Sequence, residues 1–299
     1  MAGFFQGTDV SKDRLYSDVR SAPNKYFRKA RRLTERMWVS CGQFVDEDAP
    51  ERSKKDDFYS VWWELYLAYA LSCAGVSLVP SKDRPRSVGK GRPDLLAANP
   101  RIWIEAVMPY PGTGPDALSE PPLGTVYTVP LEGIVLRLRT AIQEKVTKLQ
   151  RYLEDGTISN CDATIIAVSG ARLPFRFNGY PVPDIVRAVC AVGSLVVELN
   201  LVSKKRMGNY VEFRDHILKK SNEPVTTDLF LQKDSAHVSA VLYSPSDCVN
   251  HPRKPGADFI LVHNPNATVP LPDTWLPVGC QYWIEGHELR WGAAVTRTV

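Results

Sequence analysis

The sequence predicts an α/β protein, and three observations predict it. Segments of helical periodicity alternate with short apolar runs of strand length through the middle of the chain. Two of those runs, 93–98 and 101–108, are separated only by Asn99 and Pro100, the spacing of a β-hairpin. The last third is different, a series of strand-like pieces between Pro, Asn and Gly turns that implies antiparallel structure added at one edge. With 299 residues, 44% hydrophobic, 23% charged and 10% aromatic, the composition excludes a disordered, collagen-like or low-complexity chain. A chain of this size buries enough surface to fold without staples.

Taken in order, residues 10–45 place Tyr16, Val19, Tyr26, Phe27, Ala30, Leu33 and Met37 at helical spacing among basic residues, punctuated by Pro23. The charged stretch 46–57 reads as a linker and a boundary. FYSVWWELYLAYALSCAG is one buried helix, apolar almost all round and closed by Gly75. VSLVP at 76–80 is a short strand, followed by the basic loop 81–92 and the hairpin. A Pro/Gly-rich loop then leads to a strongly periodic helix from about 131 to 155, ended by Gly156. DATIIAVSG is a buried strand, PVPDIVRAVCAVG a short helix and SLVVELNLV a further strand. VSAVLYS, DFILVHNP, QYWIEG and ELRW are the strands of the final third. The expected divisions are a basic helical segment 1–57, a core 58–202 and a β-rich extension 203–299 packed on it.

Composition narrows the function classes. No run of about 18 apolar residues occurs, and the N-terminus has no signal-peptide pattern, so a cytoplasmic protein with no membrane partner is expected. The six cysteines stand singly, without C-x-x-C pairs or histidines at ligand spacing, and are expected to be reduced thiols, mostly in the core. His237, His251, His263 and His287 lack the partner spacing of a triad or metal site. Neither G-x-S-x-G nor G-x-G-x-x-G occurs, and VGKGRPD lacks the Lys-Ser/Thr ending of a phosphate loop. The net charge of +4 is uneven: residues 10–40 carry nine Lys/Arg against three acids, and Lys82, Arg84, Arg86, Lys90 and Arg92 crowd into 81–92 against Asp83. Such runs are either solvated faces or phosphate-binding surfaces.

Three acids stand in apolar settings where an unpaired charge is costly: Glu64, Asp94 and Glu105. Glu64 has Leu67, Ala68 and Leu71 as its helical neighbours, Asp94 follows Pro93 at the start of one hairpin strand, and Glu105 lies inside the other. A hairpin can bring Asp94 beside Glu105, and two adjacent carboxylates repel unless a cation neutralises them. Oxygen ligands without nearby His or Cys suit Mg²⁺ or Mn²⁺.

A helical Glu, then P-D, then about ten residues, then an apolar strand with E-x-K is the pattern of the PD-(D/E)XK nuclease superfamily. This chain resembles it in Glu64, Pro93-Asp94 and Glu105-Ala106-Val107 across 58–202. IWIEAVMP, LRLRTAIQEK and FILVHNPNA also look like a little-characterised bacterial branch of it. The resemblance implies a restriction-endonuclease-like αβββαβ core, a mixed central sheet flanked by helices. It also implies a Mg²⁺-dependent nuclease acting on nucleic acid, with DNA as the expected substrate. Asp94, Glu105 and the Ala106 carbonyl would then hold metal, and Glu64 a coordinated water or second ion. The basic loop, Lys82, Arg84, Arg86, Lys90 and Arg92, would meet substrate phosphates, the basic N-terminus would clamp DNA, and a homodimer is compatible. Val107 departs from the pattern, since it stands where the family's lysine usually does. Either the lysine has migrated to the following helix, with Lys145 the leading candidate and Arg137 or Lys148 behind it, or catalysis is lost. In the latter case the fold binds nucleic acid or a protein partner, as in a defence or toxin system.

Overall fold

The computed structural model describes residues 3–6, 11–86, 91–122, 124–176, 181–286 and 288–293. It is an α/β structure around a mixed seven-stranded sheet. Helices α1 (Arg14–Ser21), α2 (Lys25–Cys41) and the single turn α3 (Ala49–Arg52) precede α4 (Phe58–Cys73). Strands β1 (Leu95–Ala97) and β2 (Ile102–Val107) form the expected hairpin, α5 (Leu131–Glu154) follows, and β3 (Ala163–Ser169) leads to the short α6 (Asp184–Arg187). After it come β4 (Val192–Leu199), β5 (Arg206–Phe213), β6 (His216–Leu218), β7 (Pro224–Thr226), β8 (Ala240–Ser244), β9 (Ile260–His263), β10 (Cys280–Glu285) and β11 (Glu288–Ala293). The central sheet runs β1-β2-β3-β8-β9-β10-β11, with β2, β3 and β8 parallel and both ends antiparallel.

The sheet separates two apolar layers, and strand alternation assigns its residues to them. Ile102, Ile104 and Ala106 face α4 and the N-terminal helices, whereas Trp103 with Leu96, Ile166 and Val168 faces α5. Helix α4 is buried on most of its circumference, and its end is set by Gly75 at φ +87, where the Val76 N–H reaches back to the Leu71 carbonyl. Helix α5 ends the same way, with Gly156 at φ +76 and the Ile158 N–H on the Tyr152 carbonyl.

Three expectations change. Residues 76–80 make only one β-bridge, Leu78 to Ala97, although the Val79 N–H also donates to the Leu96 carbonyl. The stretch 46–57 is not a loose linker: α3 runs through a π-helical turn, Ser53–Asp57, directly into α4. The buried Asp13 carboxylate accepts from the N–H groups of both Tyr16 and Phe58, so it holds the starts of α1 and α4 together. Phe4, Tyr16 and Met37 share one core with Phe58 and Trp62.

The third change is the largest. SLVVELNLV does not join the central sheet; as β4 it pairs with β5 in a separate two-stranded ribbon. The place beside β3 goes to β8, all five of whose residues are buried. A strand covered on both faces needs a run without charges, which AVLY supplies, its following Ser244 bonded to Asp258, whereas Glu198 and Asn200 interrupt SLVVELNLV. The central sheet therefore crosses the boundary expected at 202/203 and draws four strands from the final third. All six cysteines are free thiols, with Cys41, Cys190 and Cys248 buried. No helix among the described residues is long and apolar enough to cross a membrane.

Candidate active site

The hairpin register sets the site. Leu95 pairs with Ile104, so the next step outward brings Asp94 opposite Glu105. The contact is direct: the Ala106 N–H donates to Asp94 Oδ2 at 2.6 Å. Ala106 thus enters the site through its amide. Glu105 is fully buried on the α5 face of the sheet, two residues along from Trp103.

A buried carboxylate needs counter-charge, and α5 provides it twice. Lys145 Nζ and Lys148 Nζ each donate to Glu105 Oε1 at 2.6 Å. Lys145 is the better enclosed, its side chain 19% exposed against 39% for Lys148. The two lie one turn apart on the same stripe as the buried Ala141, whose small side chain lets helix and sheet approach. Val107, where a lysine was absent from the motif, packs among the apolar residues under α5. Arg137, the third cation of the stripe, goes elsewhere and donates to the Asp116 carbonyl at 2.6 Å, pinning the Pro/Gly-rich loop.

The charges in this cluster are unevenly satisfied. Glu105 Oε2 is buried and has no hydrogen-bond partner among the described residues. Burial, and then the charges of Glu105 and Glu64, push the Asp94 carboxyl well above the carboxylate range against the pull of Lys145 and Lys148. Burial pushes Glu64 up to about 6, although Arg52 donates to its Oε2 at 2.7 Å. Burial disfavours the Lys148 ammonium, but the hydrogen bond and charge of Glu105 prevail and raise its pKa. Asp94 thus stands under the charge of two other carboxylates, and one buried oxygen of Glu105 is left unmatched, although Lys145, Lys148, Arg52 and Arg84 all stand close. That donor set fits a hard divalent cation, which is commonly held by one or two carboxylates with water completing its shell. Among the described residues no group of three or more His, Cys, Asp or Glu is placed to hold a metal ion, so any such ion would rest on two carboxylates and water.

The basic loop divides. Arg84 is buried, and its guanidinium donates to the Pro93 carbonyl at 2.9 Å and to the Asp94 carbonyl, clamping the backbone that carries Asp94. Burial and the nearby Arg92 lower its pKa to about 10, against the charges of Asp46, Asp94 and Glu64. Arg92 donates to Asp46 at 2.6 Å and to the Ser81 carbonyl and hydroxyl. Both arginines thus turn inward, whereas Lys82 and Arg86 are exposed. Lys90 and His287 lie outside the described residues. The α2 cations Lys25, Arg28, Lys29, Arg31, Arg32 and Arg36 are all exposed. His237 bonds to the Val146 carbonyl and His263 to Gln281, both structural roles.

Sequence reasoning missed two residues. Asp46 accepts from Ser81, Arg92 and Arg84; burial works against its charge, but those bonds and charges hold its carboxyl below the usual range. Arg52 covers Glu64. Both sit in the segment taken as linker, where dense mixed charge hides individual pairings. No protein-family model, curated protein or solved structure matches this chain.

Proposed function

We propose that this protein is a divalent-metal-dependent nuclease of PD-(D/E)XK type that hydrolyses phosphodiester bonds in DNA. One observation carries the reading: Lys145, from a different element than the motif, reaches 2.6 Å from Glu105 beside Asp94, supplying the cation that Val107 cannot. The order α4, β1, β2, α5, β3 supports it, with the single bridge of Leu78 to Ala97 standing where the αβββαβ order of that superfamily has its first strand. Asp94 and Glu105 would hold Mg²⁺ or Mn²⁺, with the Ala106 carbonyl as a further ligand. The bound metal supplies charge neutralisation at the scissile phosphate and eases deprotonation of water.

The chain's own residues divide the remaining work. Lys145 holds Glu105 in place and sets an ammonium where negative charge develops on the phosphate. Arg84 fixes the Asp94 backbone, and Arg52 anchors Glu64 at the α4 side. Lys82 and Arg86, exposed on either side of Arg84 in the chain, would meet the nucleic-acid backbone, and contacts of that type position it without reading bases.

The test is cleavage of supercoiled and linear DNA with Mg²⁺, Mn²⁺ or EDTA, by wild type and by Asp94→Ala and Glu105→Ala. Metal-dependent cleavage lost in both variants supports the assignment, and a variant that cuts at the wild-type rate removes it. A second reading has its own observation: Glu105 Oε1 is already met by two ammonium groups, so much of its charge is balanced without metal. On that reading the fold binds nucleic acid or a protein partner without catalysis. Nucleic-acid binding that persists in EDTA, with no cleavage under any metal, selects it.

A further inference from the structure

We propose that the β4–β5 ribbon is a dimerisation arm, each copy seating the tip of its ribbon in the cleft at the foot of its partner's. This does not depend on the nuclease reading.

Strands β4 and β5 pair only with each other, so both long edges of the ribbon are open among the described residues. Open edges invite pairing with another chain. The tip is built rather than loose. Asn200 Oδ1 accepts the N–H groups of Val202 and Ser203 at 3.0 and 2.8 Å, the Asn200 N–H reaches the Lys205 carbonyl, and Lys204 turns the chain at φ 55. The preset turn presents Leu201 and Val202, 79% and 95% exposed, with Leu199 and Met207 exposed beside them. A contiguous apolar patch of this kind on an ordered element marks an interaction site rather than ordinary surface. Ordering it beforehand lowers the cost of binding.

The foot of the ribbon offers the complementary surface. Between it and β11, itself the edge of the central sheet, lies a cleft of about 480 Å³ walled by Leu195, Tyr210, Phe213, Leu289 and Trp291. Charge fixes which surface meets it. From Leu199 to Met207 the tip carries Lys204, Lys205 and Arg206 and no acid. The cleft is lined by Glu212 and Glu288 together with Arg290, which is bonded to Glu288 and to the neighbouring Glu285, leaving the acids in excess. A basic, apolar tip and an acidic-rimmed, apolar cleft on one chain are self-complementary, and a two-fold axis satisfies both contacts at once. Nucleic acid fits less well, because the cations are gathered at the turn and the first residue of β5 while the strands carry Glu198 and Glu212.

Sedimentation equilibrium on the full chain over a concentration series tests this. The wild type is expected to dimerise, and Lys204→Glu/Lys205→Glu/Arg206→Glu and Glu212→Lys/Glu288→Lys to be monomeric separately. Mixed in equal amounts, the two charge-reversed chains should recover dimer mass. Leu201→Ser/Val202→Ser should weaken self-association by roughly tenfold or more. All the tip changes lie on exposed positions, and far-UV circular dichroism verifies that each variant is folded. A wild type that stays monomeric overturns the proposal, as does a dimer that survives both charge reversals. Tip variants that lose DNA binding at unchanged mass overturn it too, and reassign the arm to nucleic acid.

Discussion

Two basic segments approach the carboxylates, and they do opposite things. The loop 81–92 has the denser positive charge in sequence, yet Arg84 and Arg92 spend theirs on the Pro93 and Asp94 carbonyls, Ser81 and Asp46. Helix α5 reads as an ordinary amphipathic helix, yet Lys145 and Lys148 leave its surface to meet a fully buried carboxylate. Side-chain chemistry explains the division. A guanidinium offers a planar fork of five donors, suited to tying several backbone and carboxylate acceptors into a scaffold. An ammonium on a flexible stem is a point charge that can cross the gap from helix to strand. Charge density along a sequence thus says where cations are, and the buried acceptors around them decide which way they face.

The division between inward loop arginines and reaching helix lysines fails outright if the helix lysines prove dispensable. Lys145→Ala is expected to lower kcat/KM for DNA cleavage by roughly 10²–10³, as removal of one preorganised charge donor typically does, while metal affinity measured by calorimetry is kept. The double change Val107→Lys with Lys145→Ala should recover part of the loss, because it returns an ammonium to the strand. Lys148→Ala alone should cost less, since that side chain is twice as exposed. Full activity in Lys145→Ala would transfer the function of the site to the non-catalytic reading.

The loop arginines should show the converse, stability lost before chemistry. Arg84→Ala removes the donor to two carbonyls and leaves Asp46 with one arginine fewer, so about 3 kcal/mol of unfolding free energy should disappear. Urea denaturation followed by tryptophan fluorescence reads it. A change under about 0.5 kcal/mol, the range of ordinary surface substitutions, would return Arg84 to the set of candidate phosphate contacts.

What could be seen in the sequence follows the same logic. Glu64, Asp94 and Glu105 were visible because a charge inside an apolar run must have a reason, and the hairpin was visible because Asn-Pro separates two strand-length runs. The sheet beyond β3 was not, because SLVVELNLV and VSAVLYS are both apolar. What separates them is whether polar residues interrupt the run, as Glu198 does, and that matters only once the number of neighbours is known. Asp46 and Arg52 were hidden in DEDAPERSKKDD, where any acid has several basic neighbours and sequence spacing does not choose among them. The helical partners of Glu105 lie 40 and 43 residues away, a separation that only a recognised fold pattern could bridge.

The α4 side of the site gives a pH signature. Glu64 titrates near 4.5 when exposed and at about 6 when folded, so between those values the native state binds more protons than the unfolded chain. Stability contributed by this group is therefore greatest below pH 4.5 and falls as pH rises through about 6, by about 2 kcal/mol in all. Glu64→Gln removes that titration, so the difference in stability between wild type and variant should vary by this amount from pH 4 to pH 7 in denaturation series. A flat difference would mean that Arg52 balances the Glu64 charge completely.

The smallest effect is expected within the loop itself, between its inward and outward cations. Lys82 and Arg86 are exposed, so the scaffold does not need them and their replacement by Ala should leave the unfolding free energy within about 0.5 kcal/mol of wild type. If they meet phosphates, each lost contact removes roughly 0.9 from the slope of log affinity against log salt on duplex DNA, so the pair should flatten it by nearly two. Binding is measured with Ca²⁺ in place of Mg²⁺ so that cleavage does not interfere. Inward Arg84 and outward Arg86 then separate cleanly, the first moving stability and the second moving only the salt slope. An unchanged slope in Lys82→Ala/Arg86→Ala would make the outer loop a solvated face and leave the exposed cations of α2 to carry the nucleic-acid backbone.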